Sequence, residues 1–415
     1  MNTNSSRAFL LLSAAVGSVI AASGCGRDTL IGIGPPEPGS GGIHGGTGGG
    51  HPGPISSGGV VGTPAGSGGV GGTPAGSGGI DGGTGGTPAT PPPACPILTM
   101  VPGQLNDCGR TSGVAYSPDG TLLAAVTEAA SSQLHVWRLT DGQLMYERSV
   151  TNDPSGAYGV SFSPDGKLIA TAGNNPISVV NGITSQTGTD TVVVWDAASG
   201  AHVATLPTHD SVYSTAAVFS PDGTRLVTAG AANAIEFWNV ADWTLAMTIP
   251  YTTYSIYALH FSPDGQRLLA SSAAVDTIFN VADGSMVAQI SGLVFEMNEA
   301  SYSPDGQRIF TIGGPGQLQI LDASAMTLQL MTFSTGPSAP LPYIGHGIWI
   351  GNDSVVADDF FGTIEEWSKD ASQQAGSFSL AHAWSMPDQA LGMAAAPDGK
   401  SFVVGGGFGI TFLTP

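Results

Sequence analysis

One phrase recurs seven times in this chain, and it constrains the fold more than any other feature. It reads VAYSPDGTLLAAV from Val114, VSFSPDGKLIATAG from Val160 and AVFSPDGTRLVTAG from Ala217. It returns as ALHFSPDGQRLLASS from Ala258 and ASYSPDGQRIFTIGG from Ala300. A worn copy, IWIGNDSVVADD, starts at Ile348, and the last, MAAAPDGKSFVVGGG, starts at Met393. Within each copy, alternating apolar residues predict a strand, Ser-Pro-Asp-Gly a tight turn, and the next apolar run an antiparallel partner. Proline presets φ at the first corner, aspartate bonds its own backbone, and glycine takes a conformation that other residues resist.

A third strand follows, marked by an aromatic: HVWRL at His135, VVVWDA at Val192, IEFWNV at Ile235, TIFNVAD at Thr277 and IEEWSK at Ile364. Polar turns such as Thr140-Asp141-Gly142 and Ala198-Ser199-Gly200 then lead into a fourth strand. Four antiparallel strands in each of seven copies leave few exposed edges only if the copies close into a ring. The expected fold is therefore all-β, a seven-bladed β-propeller of four-stranded antiparallel blades. The seventh copy stops after its third strand, at Pro415. Its missing outermost strand is expected from Pro96 to Val101 (PILTMV), so that the start of the ring pairs with its end.

Val194-Trp195-Asp196 is similar to the Trp-Asp ending of WD-repeat proteins, and Ser-Pro-Asp-Gly resembles the first turn of that family. The resemblance covers the chain from about Cys95 to its end. In that family a His before the first strand and an Asp before the third join the Trp in a hydrogen-bonded network. Here His209 precedes blade three, but the later position holds Asn233. Asp190 and Trp195 of blade two have no upstream His. The resemblance implies a propeller with degenerate blades and names no subfamily.

The first hundred residues are of another kind. Arg7 precedes an apolar run from Ala8 to Ala22, too short for a comfortable membrane span and read as an export signal. Ala22-Ser23-Gly24-Cys25 resembles the lipobox of bacterial lipoproteins, with Ala where Leu is usual. That likeness implies a diacylglycerol on Cys25; an ordinary secretory signal is the alternative. Gly26 to Pro93 is Gly, Ser, Thr and Pro with an imperfect repeat, which predicts a flexible tether with a reach on the order of 45 Å. The expected division is a signal peptide over 1–24, the lipidated Cys and disordered linker over 25–94, and the propeller over 95–415. With Cys25 acylated, Cys95 and Cys108 remain as an even pair, and a disulfide is the expectation in an oxidising compartment, two buried thiols the alternative.

The formal charge is −20, almost all of it after the tether, and lysine occurs only at Lys167, Lys369 and Lys400. Nucleic acid is excluded as an expected partner, because phosphate binding needs clustered Lys and Arg. Six aspartates, Asp119, Asp165, Asp222, Asp264, Asp305 and Asp398, repeat in equivalent hairpin turns and read as structural. No metalloprotease, EF-hand, Cys-x-x-Cys or nucleophile-elbow motif occurs. His209, His346 and His382 are expected in loops of one rim, where they could converge on a metal; solvated histidines are the plainer alternative. Asp358 and Asp359 are adjacent strand residues, so their side chains should point to opposite sides.

What remains is a loop surface carrying Tyr251, Tyr254, Phe295, Tyr343, Phe360, Phe361, Trp384 and Phe408, with a long insertion from Asn174 to Asp190. Exposed aromatics are candidate anchors for a protein partner. The expected function is a non-catalytic, envelope-anchored interaction platform, monomeric, without cofactor or metal. It is expected at the outer membrane (periplasmic side or cell surface) because Gly26, not the Asp associated with inner-membrane retention, follows Cys25. The alternatives are a propeller enzyme of lactonase or quinoprotein-dehydrogenase type, or a glycan-binding module.

Overall fold

The computed structural model describes residues 97–415 except 107, 129–131, 152–156, 174–176, 181–182, 187–189, 208–213, 231–233, 252–254, 273–274, 292–298, 314–316, 327, 334–343, 360–361, 370–377, 387–388 and 408. The expected signal sequence and tether, with Cys25 and Cys95, lie outside the described residues.

Among the described residues, seven four-stranded antiparallel sheets are built as the repeat predicts. Each Ser-Pro-Asp-Gly turn joins an inner strand to a second strand. The inner strands are Arg110–Tyr116, Ala157–Phe162, Ser214–Phe219, Ile256–Phe261, Glu299–Tyr302, Ile344–Ile350 and Ala390–Ala395. Each touches the next in this order, and Ala390–Ala395 touches Arg110–Tyr116, so the ring is closed. One face of every blade packs on the opposite face of its successor. Ala170, Ala172, Val192 and Val194 of blade two, for example, bury Phe219, Leu226 and Trp238 of blade three.

The turn explains why the phrase repeats. In five turns a serine hydroxyl (Ser117, Ser163, Ser220, Ser262, Ser303) donates to the turn aspartate at 2.6–2.7 Å. The same carboxylates accept a backbone N–H two residues on. These bonds favour the ionised form; serine and backbone donors, with Lys167 in reach, hold Asp165 at about 2. Each of these carboxylates is thus engaged by its own turn. Gly120, Gly166, Gly223, Gly265, Gly306 and Gly399 all take positive φ, which only glycine adopts without strain.

The ring closes with chain start against chain end, but by a different segment from the one expected. The outermost strand of blade seven is Leu105–Asn106, paired with Gly409–Leu413. Ile97 instead bridges Gln143 of blade one, and the Leu98 N–H donates to the Gly142 carbonyl at 2.8 Å. Leu98 is buried in the cluster shared by blades seven and one, with Val114, Trp137, Val403 and Phe412. Its burial in that seam holds Ile97–Val101 across the joint, and the turn at Pro102-Gly103 delivers Leu105 to the open edge. Asn106 secures the junction: its amide donates to the Ile410 carbonyl at 3.1 Å and the Thr99 carbonyl at 3.0 Å. Cys108 is buried beside it and disulfide-bonded; its expected partner, Cys95, is outside the described residues.

Candidate functional site

Strand register aligns one inner-strand residue from each blade at the same level of the ring. Gly113 lies opposite Val126, Gly159 opposite Ala172, Ala216 opposite Ala229, Ala258 opposite Ser271, Glu299 opposite Ile312 and Gly392 opposite Gly405. In blade six the pair Gly347–Ala357 puts His346 and Asp358 at this level. The third strands complete the layer with Leu134, Val192, Ile235, Asp276, Leu318, Ile364 and Ile410.

Small residues prevail in the inner position for a steric reason. A Cβ on Gly113 would stand 2.8 Å from the Tyr158 carbonyl oxygen, and one on Gly392 3.0 Å from that of Ser112. The layer is apolar in blades one, two, three and seven. In blades four to six it holds Ser271, Asp276, Glu299, His346 and Asp358. At this level of a nearly sevenfold object the ionisable groups are concentrated in one sector.

Glu299 reaches from blade five to blade six, where its Oε2 accepts the Gly347 backbone N–H at 3.0 Å. Burial raises the Glu299 pKa, against the opposing pull of His346. His346 Nδ1 stands 3.4 Å from Asp358 Oδ1, and the same oxygen accepts the His346 backbone N–H. Burial alone would depress this imidazole; Asp358 and Glu299 outweigh it and lift the pKa to about 9. His346 is therefore an imidazolium at neutral pH, beside Asp358 of its own blade and facing Glu299 of blade five.

Two further groups belong to this sector. Asp276, with no exposed surface, accepts from the Thr311 hydroxyl across the seam with blade five, and burial raises its pKa to about 7. His260, on the inner strand of blade four, is open to water yet hemmed in by protein. Its register opposite Leu269 sets it on the face turned toward blade five, and enclosure pushes the imidazole down to about 4, so it stands neutral there.

The expected histidine rim does not form. His346 lies in the inner strand Ile344–Ile350 and His382 in the outer strand Phe378–Ser385, at opposite edges of blade six. The worn Ile348 copy lacks the proline turn that would have marked where its first strand begins. His382 pairs instead with Glu366 at 2.8 Å. His209 is outside the described residues. Asp358 points into the blade, as an alternating strand requires, but its partner His346 was not foreseen. Among the described residues, no group of three or more His, Cys, Asp or Glu side chains is arranged to hold a metal ion.

Of the eight candidate aromatics, two are described, and both pack inward. Tyr251 is buried against Phe279, with its hydroxyl 3.0 Å from Ser272 Oγ. Trp384 is half-buried in the outer strand of blade six, edge-on to Phe402 of blade seven at 5.4 Å. An aromatic at a strand end has more apolar surface to cover than a loop can solvate, which draws both into seams. Tyr254, Phe295, Tyr343, Phe360, Phe361 and Phe408 are outside the described residues. Sequence reasoning missed Asp276 and Glu299, although aligning the copies on their turns sets Glu299 in the Gly/Ala column.

The rim opposite the Ser-Pro-Asp-Gly turns carries one further element. The insertion in blade two forms a separate two-stranded sheet, Ile177–Val180 paired with Ile183–Gln186. Among the described residues it is hydrogen-bonded to no blade.

Comparison with known families matches residues 200–239 to the WD domain, G-beta repeat. That segment is the outer strand of blade two, His202–Pro207, followed by the first three strands of blade three. A repeat so placed straddles two blades and interlocks them. Its Trp238 indole N–H donates to Thr228 Oγ1 at 3.1 Å, and Trp195 makes the same bond to Thr171 at 3.0 Å in blade two. No curated protein matches the chain.

Proposed function

We propose that this seven-bladed propeller, carrying a WD repeat, is an interaction platform held at the cell envelope by a lipid on Cys25. The observation that carries the reading is the two-stranded sheet Ile177–Val180 and Ile183–Gln186, which among the described residues pairs with no blade. A two-stranded ribbon is only marginally stable alone in water. Its unpaired edges are a template on which an extended partner segment adds a strand, with main-chain hydrogen bonds supplying affinity. WD-repeat propellers commonly mediate protein interaction, which supports the same reading.

The test is crosslinking capture from envelopes with the intact chain and with a chain whose residues 177–186 are replaced by a Gly-Ser link. The proposal expects a defined protein captured by the first and lost from the second, with unchanged melting of the ring. Equal capture by both would refute the hairpin's role. In the same cells, Cys25→Ser should move the protein from the membrane to the soluble fraction; unaltered membrane association would remove the anchor.

A further inference from the structure

We infer that the seam between blades four and five is a proton-operated joint, closed while the Asp276 carboxyl is protonated and loosened when it ionises. Asp276 sits in the third strand of blade four, where the other six blades hold Leu134, Val192, Ile235, Leu318, Ile364 and Ile410. Its surroundings are built for an aliphatic side chain. The seam around it is lined by Leu269, Ile278, Ile290, Ala300, Ile309 and Leu321, all buried.

The polar groups that meet Asp276 are few. From blade five, the Thr311 hydroxyl donates to Oδ2. From blade four, the Ser272 backbone N–H and the Ser271 hydroxyl face it. Among the described residues no charged group contributes to its titration. The other titratable or charged side chains on this side are His260 and Arg267 of blade four, whose register sets them on the face of Leu269 and Asp276, and Tyr302 of blade five, beside which Arg267 and Asp264 lie. His260, at about 4, stays neutral from pH 5 to 8. Glu299 projects from the other face of blade five, toward blade six.

An ionised carboxylate is poorly served here. Asp276 Oδ1 and Ser271 Oγ are both buried, and neither makes a hydrogen bond of good geometry, although they are cross-strand neighbours. A proton on Oδ1 removes the charge and keeps the pairing: the acid O–H can bond Ser271 Oγ while Oδ2 keeps the Thr311 bond. Loss of that proton to solvent leaves a buried carboxylate that only neutral donors face, with no cation beside it. Such a charge is costly unless water enters, and water enters by parting the blades. Burial places this titration at about 7, so both states are populated near neutrality.

The experiment is hydrogen exchange with mass spectrometry on the full chain from pH 5 to 8, with rates corrected for intrinsic exchange. Protection in Val275–Asn280 and Arg308–Gly313 should fall by up to about tenfold per pH unit between 5 and 7, then level off. Ser132–Arg138, in blade one, should show no such slope. Asp276→Asn should flatten the slope while keeping the shape of the side chain. Asp276→Leu, which restores the residue class of the other blades, should flatten it too and serves if the Asn variant folds poorly. A pH-independent seam in the wild type, a slope that survives either variant, or an equal slope in every blade would overturn the inference.

Discussion

Glu299 of blade five and Gly347 of blade six are joined by a hydrogen bond of 3.0 Å, at a level of the ring where five other blades carry only glycine or alanine. The bond does for this seam what bare backbone contact does elsewhere. Glu299→Ala removes the acceptor from a buried N–H and one of the two carboxylates beside His346. It should destabilise the ring by about 1–3 kcal/mol, the cost of stranding buried polar groups. Glu299→Gln keeps an acceptor and should cost less. Urea unfolding of the three proteins checks the order.

His346 makes the stability of the ring fall at alkaline pH. Its folded pKa of about 9 stands above the ordinary 6.5, raised by Asp358 and Glu299 against the effect of burial. The stabilisation is complete below about pH 6.5 and is lost as pH rises through 9. Thermal melts of the wild type and His346→Gln should differ most near pH 6, on the order of 1–3 kcal/mol, and converge by pH 10. A constant difference across that range would show that the imidazolium charge is not what His346 contributes.

The indole bonds inside the blades are also open to measurement. Thr228→Val keeps the volume of the side chain but leaves the buried Trp238 N–H without its acceptor, at about 1–3 kcal/mol. Thr224→Val, at an exposed turn position, should stay within about 0.5 kcal/mol. Equal effects in denaturant unfolding would mean that the Trp–Thr bond adds nothing to the blade.

The architecture was open to reading because its determinants are local. A turn that needs Pro, Asp and Gly in fixed order announces itself, as do Trp137, Trp195, Trp238 and Trp367 in third strands. The closing strand was harder: Pro96–Val101 and Leu105–Asn106 both offer apolar residues beside the missing edge, and only packing of Leu98 into the seam separates them. The polar sector is legible only through register. Glu299, His346 and Asp276 are unremarkable in their own segments, and become exceptional when set beside Gly113, Gly159 and Ile235 at the same level. Exposure of an aromatic depends on what packs over it: Tyr251 and Trp384, the two candidates among the described residues, are drawn into seams by neighbours distant in sequence.

Closure of the ring by its own beginning is the claim on which the rest stands. The direct measurement compares the melting temperature of the full chain with that of a chain lacking residues 95–109, which joins the tether to Arg110. That deletion removes Leu98, the Leu105–Asn106 strand and Cys108 together. The account predicts a fall of about 10 °C or more, with lost exchange protection in Gly409–Leu413. An unchanged melting temperature and a protected Gly409–Leu413 strand would contradict it.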